Sequence, residues 1–256
     1  MTTSTHAPAE QGPGAGLYVY GIVRADARLP EGLVGVLTGS PRLYPHGELA
    51  AVASELPDDA DFGTPQDLVA HSAVLDAIAE VAAVLPMRFG TVLPTADTVG
   101  QELLTEPAGL LDALADLEGS VQYTLRVRYE QSEVLPEILR ADPRLAQLQQ
   151  EIAGTTEDET RSQRIMLGEG IVGHFDSLRE TDAPQVLDAV EPLIRDRVLH
   201  EPGQADVVAD LALLVEHGAT DQLEAVIEET AERDHPRLRY RLLGPQAPYD
   251  FVEGGQ

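Results

Sequence analysis

In "LYVYGIV" (17–23) apolar and aromatic side chains fill both phases of a two-residue repeat, the mark of a strand covered on both faces. A Gly- and Pro-rich loop separates it from "PRLYP" and "ELAAVASEL", two runs around His46 and Gly47 that read as a hairpin. After the acidic "PDDADFG", Thr64 as N-cap and Pro65 at the first helical position open a helix to about Val84. Its expected apolar face is Leu68, Val69, Leu75, Ile78 and Val81. The run "VLPMRFGTVL" (84–93) then returns to period two. Leu85, Met87, Phe89, Thr91 and Leu93 fall on one side, and Pro86, Arg88, Gly90, Val92 and Pro94 on the other. Proline cannot donate to a ladder, so this is expected to be an edge strand or an extended connection. Arg88 would stand off the apolar face, free to hold a carboxylate or backbone carbonyls in its planar fork, or to lie on the surface. A helical region over roughly Asp97–Leu117, broken near Pro107, closes the first half.

The second half opens on "VQYTLRVRYE" (121–130), which alternates strictly. Tyr123, Leu125, Val127 and Tyr129 share one side, and Gln122, Thr124, Arg126 and Arg128 the other. A helical hairpin with Pro143 near a helix start follows, then helices over about Thr156–Arg179 and Pro184–Ile194. Next come strand-like "RVLHE" and "DVVADLALLVE", a helix over Asp221–Arg233, and "PRLRYRLLG" as the last strand. Strand, helix, strand, strand, helix, strand is the ferredoxin-like order with one helix inserted. The first half runs through similar elements less regularly. The expected class is therefore α+β, with two tandem modified ferredoxin-like domains, antiparallel sheets with helices on one face. The expected boundaries are a disordered leader over 1–16, domains over 17–119 and 120–243, and an extended tail over 244–256.

In such a fold the first and last strands are neighbours, which would place Arg126, Arg128, Arg237, Arg239 and Arg241 on the open face of the second sheet, beside Asp210 and Glu216. Residues of this kind usually form a cross-strand charge ladder on a solvated face. The sharper alternative is a cationic patch for an acidic partner or for the other domain.

Charge sets the limits on partners. Forty-four acidic residues against 17 basic ones give a net charge of -27, which repels polyphosphate and makes nucleic acid an unfavourable ligand. Every basic residue is an arginine, so a phosphate-loop lysine and a Schiff-base lysine are both excluded. With no cysteine there is no disulfide, thiol nucleophile or cysteine-ligated metal. No apolar run reaches the length of a membrane span, and the expected compartment is the cytoplasm.

Motifs for chemistry are weak. "GEGIVG" (168–173) has dinucleotide-loop spacing, but Ile165, Ile171, Val172, Phe175 and Leu178 carry a helical stripe through it, so close helix packing at small residues is the better account. "DDADFG" departs from the calcium-loop order and reads as a surface loop. His71 lies on an amphipathic helix without a nucleophile motif around it, and the seven histidines lack metal-ligand spacing. The C-terminal "LLGPQAPYDFVE" (242–253) is more distinctive. Pro245 and Pro248 preset an extended path, and Tyr249 and Phe251 are suited to anchor it in a groove.

Four segments, "LYVYGIV", "VLPMRFGTVL", "ADLALLV" and "GPQAPYDF", resemble in order and spacing the gas vesicle protein family GvpL/GvpF over residues 17–252. Gln122 departs from a frequent glutamate, and Gln246-Ala247 from a common Trp-Pro. The resemblance implies an accessory protein for building gas vesicles. It would bind the hydrophobic shell protein GvpA during nucleation or as a minor vesicle component, and other accessory proteins are further partners. It implies no enzymatic activity and no cofactor. The candidate partner-binding or structural residues are Leu85, Pro86, Met87, Arg88, Phe89 and Gly90 in the first motif, and Gly244, Pro245, Pro248, Tyr249 and Phe251 in the last. A ferredoxin-like small-ligand-binding or regulatory protein is the alternative, favoured by a deep pocket with convergent polar groups. A base-stacking nucleic-acid module is a third class, opposed by the charge and by the inward phase of Tyr123, Tyr129 and Tyr240.

Overall fold

A computed structural model describes residues 16–57 and 59–252. The leader expected over 1–16 lies outside the described residues except for Gly16, as do the last four residues of the expected tail. The described chain through Glu118, with Val252, forms one compact unit, and Gly119–Phe251 forms a second. Each is an antiparallel sheet with helices. Among the described residues, no helix is long and apolar enough to cross a membrane.

In the first unit the sheet has strands β1 (Leu17–Arg24), β2 (Arg42–His46), β3 (Leu49–Glu55), β4 (Leu85–Pro86) and β5 (Val92–Leu93). Its order is β2-β3-β1-β4, with β5 also paired to β1. β1 is buried from Leu17 to Val23, as its two-phase apolar pattern requires. Helix α1 (Pro65–Ala79) starts on a capping box: Thr64 Oγ1 accepts from the Asp67 amide, and the Asp67 carboxylate accepts from the Thr64 amide. Its buried face differs from the expected one. Asp67, His71, Val74, Leu75 and Ile78 face inward, while Leu68, Val69 and Val81 are 49%, 67% and 61% exposed. The hydrogen bonds of a buried histidine, described below, turn the helix away from its most apolar stripe. Beyond β5, a short helical turn over Val99–Leu103 precedes helix α2 (Pro107–Leu117), so the helical region breaks just before Pro107, near where a break was expected, and the proline begins the second helix.

The second unit contains β6 (Ser120–Tyr129), α3 (Gln131–Ala141), α4 (Pro143–Ile152), α5 (Arg161–Val190), β7 (Asp196–Leu199), β8 (Val207–Glu216), α6 (Thr220–Asp234) and β9 (Leu238–Gln246). Strand order is β7-β8-β6-β9. Tyr123, Leu125, Val127 and Tyr129 are buried on the helix side, where Tyr129 stacks on Phe175 of α5 at 5.3 Å. The two helices expected on either side of Pro184 are one helix of 30 residues. A helix-interior proline costs about 3 kcal/mol; burial of Phe175 before it and of Val186 and Val190 after it offsets that cost. "GEGIVG" is helical within α5, and a Cβ on Gly170 would come 2.4 Å from Leu145 of α4, so glycine lets these helices approach closely.

Candidate functional site

In the first unit, the 84–93 segment is two short bridges flanking a turn, and both bridges pair with the same edge of β1. Pro86 sits opposite Gly21 and Val92 opposite Tyr18. The Met87 amide donates to the Tyr20 carbonyl at 2.8 Å, and the Val19 amide to the Thr91 carbonyl at 2.9 Å. Between them the chain leaves the ladder. The Thr91 amide and Oγ1 donate to the Arg88 carbonyl at 3.2 and 2.8 Å, and Gly90 takes the left-handed φ of 89°. An edge strand or an extended connection was expected. A bonded turn stands there instead, because glycine permits a backbone conformation that no alternation pattern encodes.

Two buried side chains hold this turn. His71 Nε2 lies 3.1 Å from the Met87 carbonyl, and Nδ1 lies 3.0 Å from the Tyr18 hydroxyl. The hydroxyl also accepts from the Gly90 amide at 3.1 Å. These roles are mutually consistent when His71 is neutral with its proton on Nε2: the ring donates to Met87 and accepts from Tyr18. Burial lowers the His71 pKa, partly opposed by the bond to Met87, and burial raises that of Tyr18 to about 12. Neither group is poised for proton transfer near neutrality. Phe62 and Phe89 set their rings edge-on to Tyr18, and Tyr20 stacks on His71 at 5.6 Å. Leu85 and Pro86 are buried, Met87 and Phe89 are half-buried, and Arg88 is exposed at the tip of the turn. The sequence pattern gives His71 no role; its partners, a phenol 53 residues away and a carbonyl 16 residues away, are brought to it by the fold.

The C-terminal motif belongs to the second unit. Gly244, Pro245 and Gln246 are the end of β9, where an extended tail was expected, and a single helical turn follows over Tyr249–Phe251. Gly244 has φ 149°, and a Cβ there would come 2.6 Å from the Tyr123 ring. The expected anchors Tyr249 and Phe251 are half-buried, whereas Ala247 and Pro248 are buried. The polar anchor is Asp250. Gln122 Nε2 donates to Asp250 Oδ2 at 2.6 Å, the Asp250 amide donates back to Gln122 Oε1 at 3.0 Å, and His200 Nε2 lies 2.8 Å from Asp250 Oδ1. Through these bonds Asp250 links β6 to the residue after β7, and these two strands flank β8 in the sheet.

Beside it, the sheet face turned away from the helices carries four of the five expected arginines. Arg126 is paired across strands with Asp210 on one side and Arg241 on the other, and Arg128 is opposite Arg239. Arg126 Nε and Nη2 donate to Asp210 Oδ2 at 2.9 and 2.5 Å. Arg128 holds Asp206 at 2.8 Å, and Arg239 holds Glu130 at 3.0 Å. Arg237 is not on this face. It precedes β9 in a turn closed by its amide on the Asp234 carbonyl, which directs its guanidinium to the helix side. There Nη1 donates to Asp182 of α5 at 2.7 Å, and Cζ lies 5.3 Å from the Tyr129 ring centroid.

Near Arg237 a cleft of about 300 Å³ is lined by Asp182, Gln185, Arg233, Asp234, His235 and Leu238. Its charged groups are engaged with one another: Tyr129 and Arg237 donate to Asp182, and Tyr240 and Arg233 to Asp234. Burial, then the bonds to these carboxylates, raises the pKa of both phenols, so they act as donors throughout the neutral range.

Comparison with known proteins covers nearly all of the chain. The family model described as gas vesicle synthesis protein GvpL/GvpF matches residues 16–253. Gas vesicle protein F of Streptomyces sp. (strain CB03234) is 32% identical over 241 residues, covering 92% of this chain and 99% of that one. Gas vesicle protein L of the same strain is 29% identical, with 92% of each chain covered. Among solved structures, GvpF from Anabaena sp. PCC7120 superposes with a TM-score of 0.72 at 21% identity, over 93% of this chain and 96% of that one. GvpF from Microcystis aeruginosa gives 0.72 at 22%, over 94% and 99%. The likeness to these two structures is one of fold.

Proposed function

The chain belongs to the GvpL/GvpF family of gas vesicle synthesis proteins, which supports a role in gas vesicle assembly, and from that premise we propose that it acts by non-covalent attachment to the hydrophobic shell protein GvpA. Attachment would occur during nucleation or leave the protein as a minor component of the vesicle, with other accessory proteins as further partners and the cytoplasm as the place of assembly. The observation that carries the reading is the extent of the match, residues 16–253, which takes in both compact units. We read both units as modified ferredoxin-like folds. In the second, the order β7-β8-β6-β9 sets the first and last strands side by side and supports that description.

The proposed chemistry is adhesion without a catalytic step. A small shell subunit with exposed apolar surface needs a soluble holder, and a net charge of -27 suppresses co-aggregation. A ligand-binding or regulatory protein on the same fold is the competing reading, and the polar cleft at Asp182 is one site it could use. Its carboxylates and guanidiniums already neutralise each other, which favours a structural role for the cleft. Co-purification of the tagged protein with co-expressed GvpA tests the proposal. Recovery of GvpA in stable proportion is the expected result; its absence, with the protein folded by circular dichroism, would overturn the reading.

A further inference from the structure

We propose that the open face of the second sheet, centred on Arg126, Arg128, Arg239 and Arg241, is a docking surface for an acidic extended segment of a partner protein. The inference goes beyond shell-protein attachment and does not depend on it. The first observation is vertical layering of charge. In the pairs Arg126–Asp210, Arg128–Asp206 and Arg239–Glu130, the arginine side chains are 50%, 41% and 57% exposed and the carboxylates 9%, 9% and 29%. In each pair the guanidinium is the more exposed partner: Asp210 lies in β8, Asp206 just before it and Glu130 just after β6, all less exposed than the arginines they hold. A partner approaching this face meets an outer layer of cations on a molecule whose net charge is -27.

The second observation is the arrangement within that layer. Arg126 and Arg241 are direct cross-strand partners, as are Arg128 and Arg239, so like charges stand opposite each other twice in succession. Such pairs are unfavourable unless a counter-charge lies between them. Three of the four have a carboxylate from their own chain, while Arg241 has none among the described residues. A guanidinium offers five N–H donors, and the observed ion pairs engage only one or two of them on Arg126, Arg128 and Arg239. Free donors remain on every member. Along each strand the arginines are two residues apart, roughly 6.7 Å, the spacing of alternate side chains in an extended peptide. Carboxylates at alternate positions would meet both rows. Leu243, exposed at the end of the β9 row, offers an apolar contact beside them.

Arg241 is the variant of choice, because among the described residues removing it breaks no ion pair and unpairs no buried carboxylate. The probe is an eight-residue peptide alternating Glu and Thr, titrated at low salt into the full chain and followed by amide chemical shifts. Expected is saturable binding that perturbs β6 and β9, weakens as salt rises, and falls at least tenfold in Arg241→Glu while the thermal midpoint is retained. If that variant fails to fold, Arg241→Gln must still weaken binding severalfold. Binding unchanged in a folded variant, or shifts located elsewhere, would overturn the proposal. Equal binding of an oligothymidylate of matched charge would also overturn it, in favour of a general polyanion site. Self-association in place of peptide binding, lost in Arg241→Glu, would overturn it in favour of a second copy of this chain.

Discussion

The side-chain amide of Gln122 and Asp250 clasp each other in both directions, Nε2 donating to Oδ2 at 2.6 Å and the Asp250 amide returning a bond to Oε1 at 3.0 Å. Only a carboxamide at position 122 can do both, since it is donor and acceptor at once. A glutamate there loses the donor and sets two carboxylates against each other at a site where residue 122 is buried. Gln122→Glu is therefore expected to cost about 2–3 kcal/mol at pH 7 and to free the Pro248–Phe251 segment. The deficit should shrink below pH 5, where one shared proton restores a bond. Thermal unfolding at the two pH values, with hydrogen exchange at the amides of 249–251, checks both parts; protection equal to the parent at pH 7 would sink the idea.

What the sequence made legible, and what it hid, separates along one physical line. The β2–β3 hairpin, the Thr64 cap and the alternation of β6 rest on neighbours in the chain, and those elements could be located from pattern. Other features depend on partners distant in sequence. The buried face of α1 follows from a histidine bonded to Tyr18, and the anchor of the last segment is Asp250, whose partners lie 128 and 50 residues away. Neither Tyr249 nor Phe251, the residues that drew attention by their aromaticity, is fully buried. Arg237 shows the limit of phase arguments: it has the parity of Arg239 and Arg241, but the strand begins one residue after it. Pro184 shows the limit of local propensity, because the packing of α5 on both sides outweighs it.

His71 supplies a stability term with a defined sign. Burial places its folded-state pKa below the ordinary value of 6.5, so the folded protein holds it neutral. A group with this shift contributes stability that is present above pH 6.5 and is lost as pH falls below it, because the unfolded chain then takes up a proton that the folded chain refuses. His71→Gln leaves the Tyr18 hydroxyl and the Met87 carbonyl poorly satisfied and should cost about 2–3 kcal/mol at pH 7.5. The gap between parent and variant should narrow at pH 5. Urea unfolding at both pH values measures it, and a constant gap would contradict the neutral assignment.

Gly244 is constrained twice, by a φ of 149° and by the Tyr123 ring 2.6 Å from where a Cβ would be. Gly47 shares only the positive φ, 63°, with open space around it. Gly47→Ala should cost about 1 kcal/mol, and Gly244→Ala at least about 2 kcal/mol more, with the excess arising from displacement of Tyr123. Denaturant midpoints of the two variants decide the matter. Equal costs would mean that β9 shifts to accept the methyl group.

Arg88 stands at the tip of the turn that Tyr18 and His71 hold from beneath through the backbone of Gly90 and Met87. Because those anchors are backbone groups, the turn does not need the identity of residue 88. Interactions of an exposed guanidinium are worth about 0–1 kcal/mol, so Arg88→Ala should lower the unfolding free energy by no more than about 1 kcal/mol, well short of His71→Gln. The same variant separates two roles for the motif. If Arg88 serves the partner, GvpA recovery in co-purification should drop while the melting curve stays near that of the parent, and His71→Gln should depress both together. A large loss of thermal stability in Arg88→Ala would instead place the guanidinium among the groups that hold the turn, and the account of the turn as backbone-anchored would have to be given up.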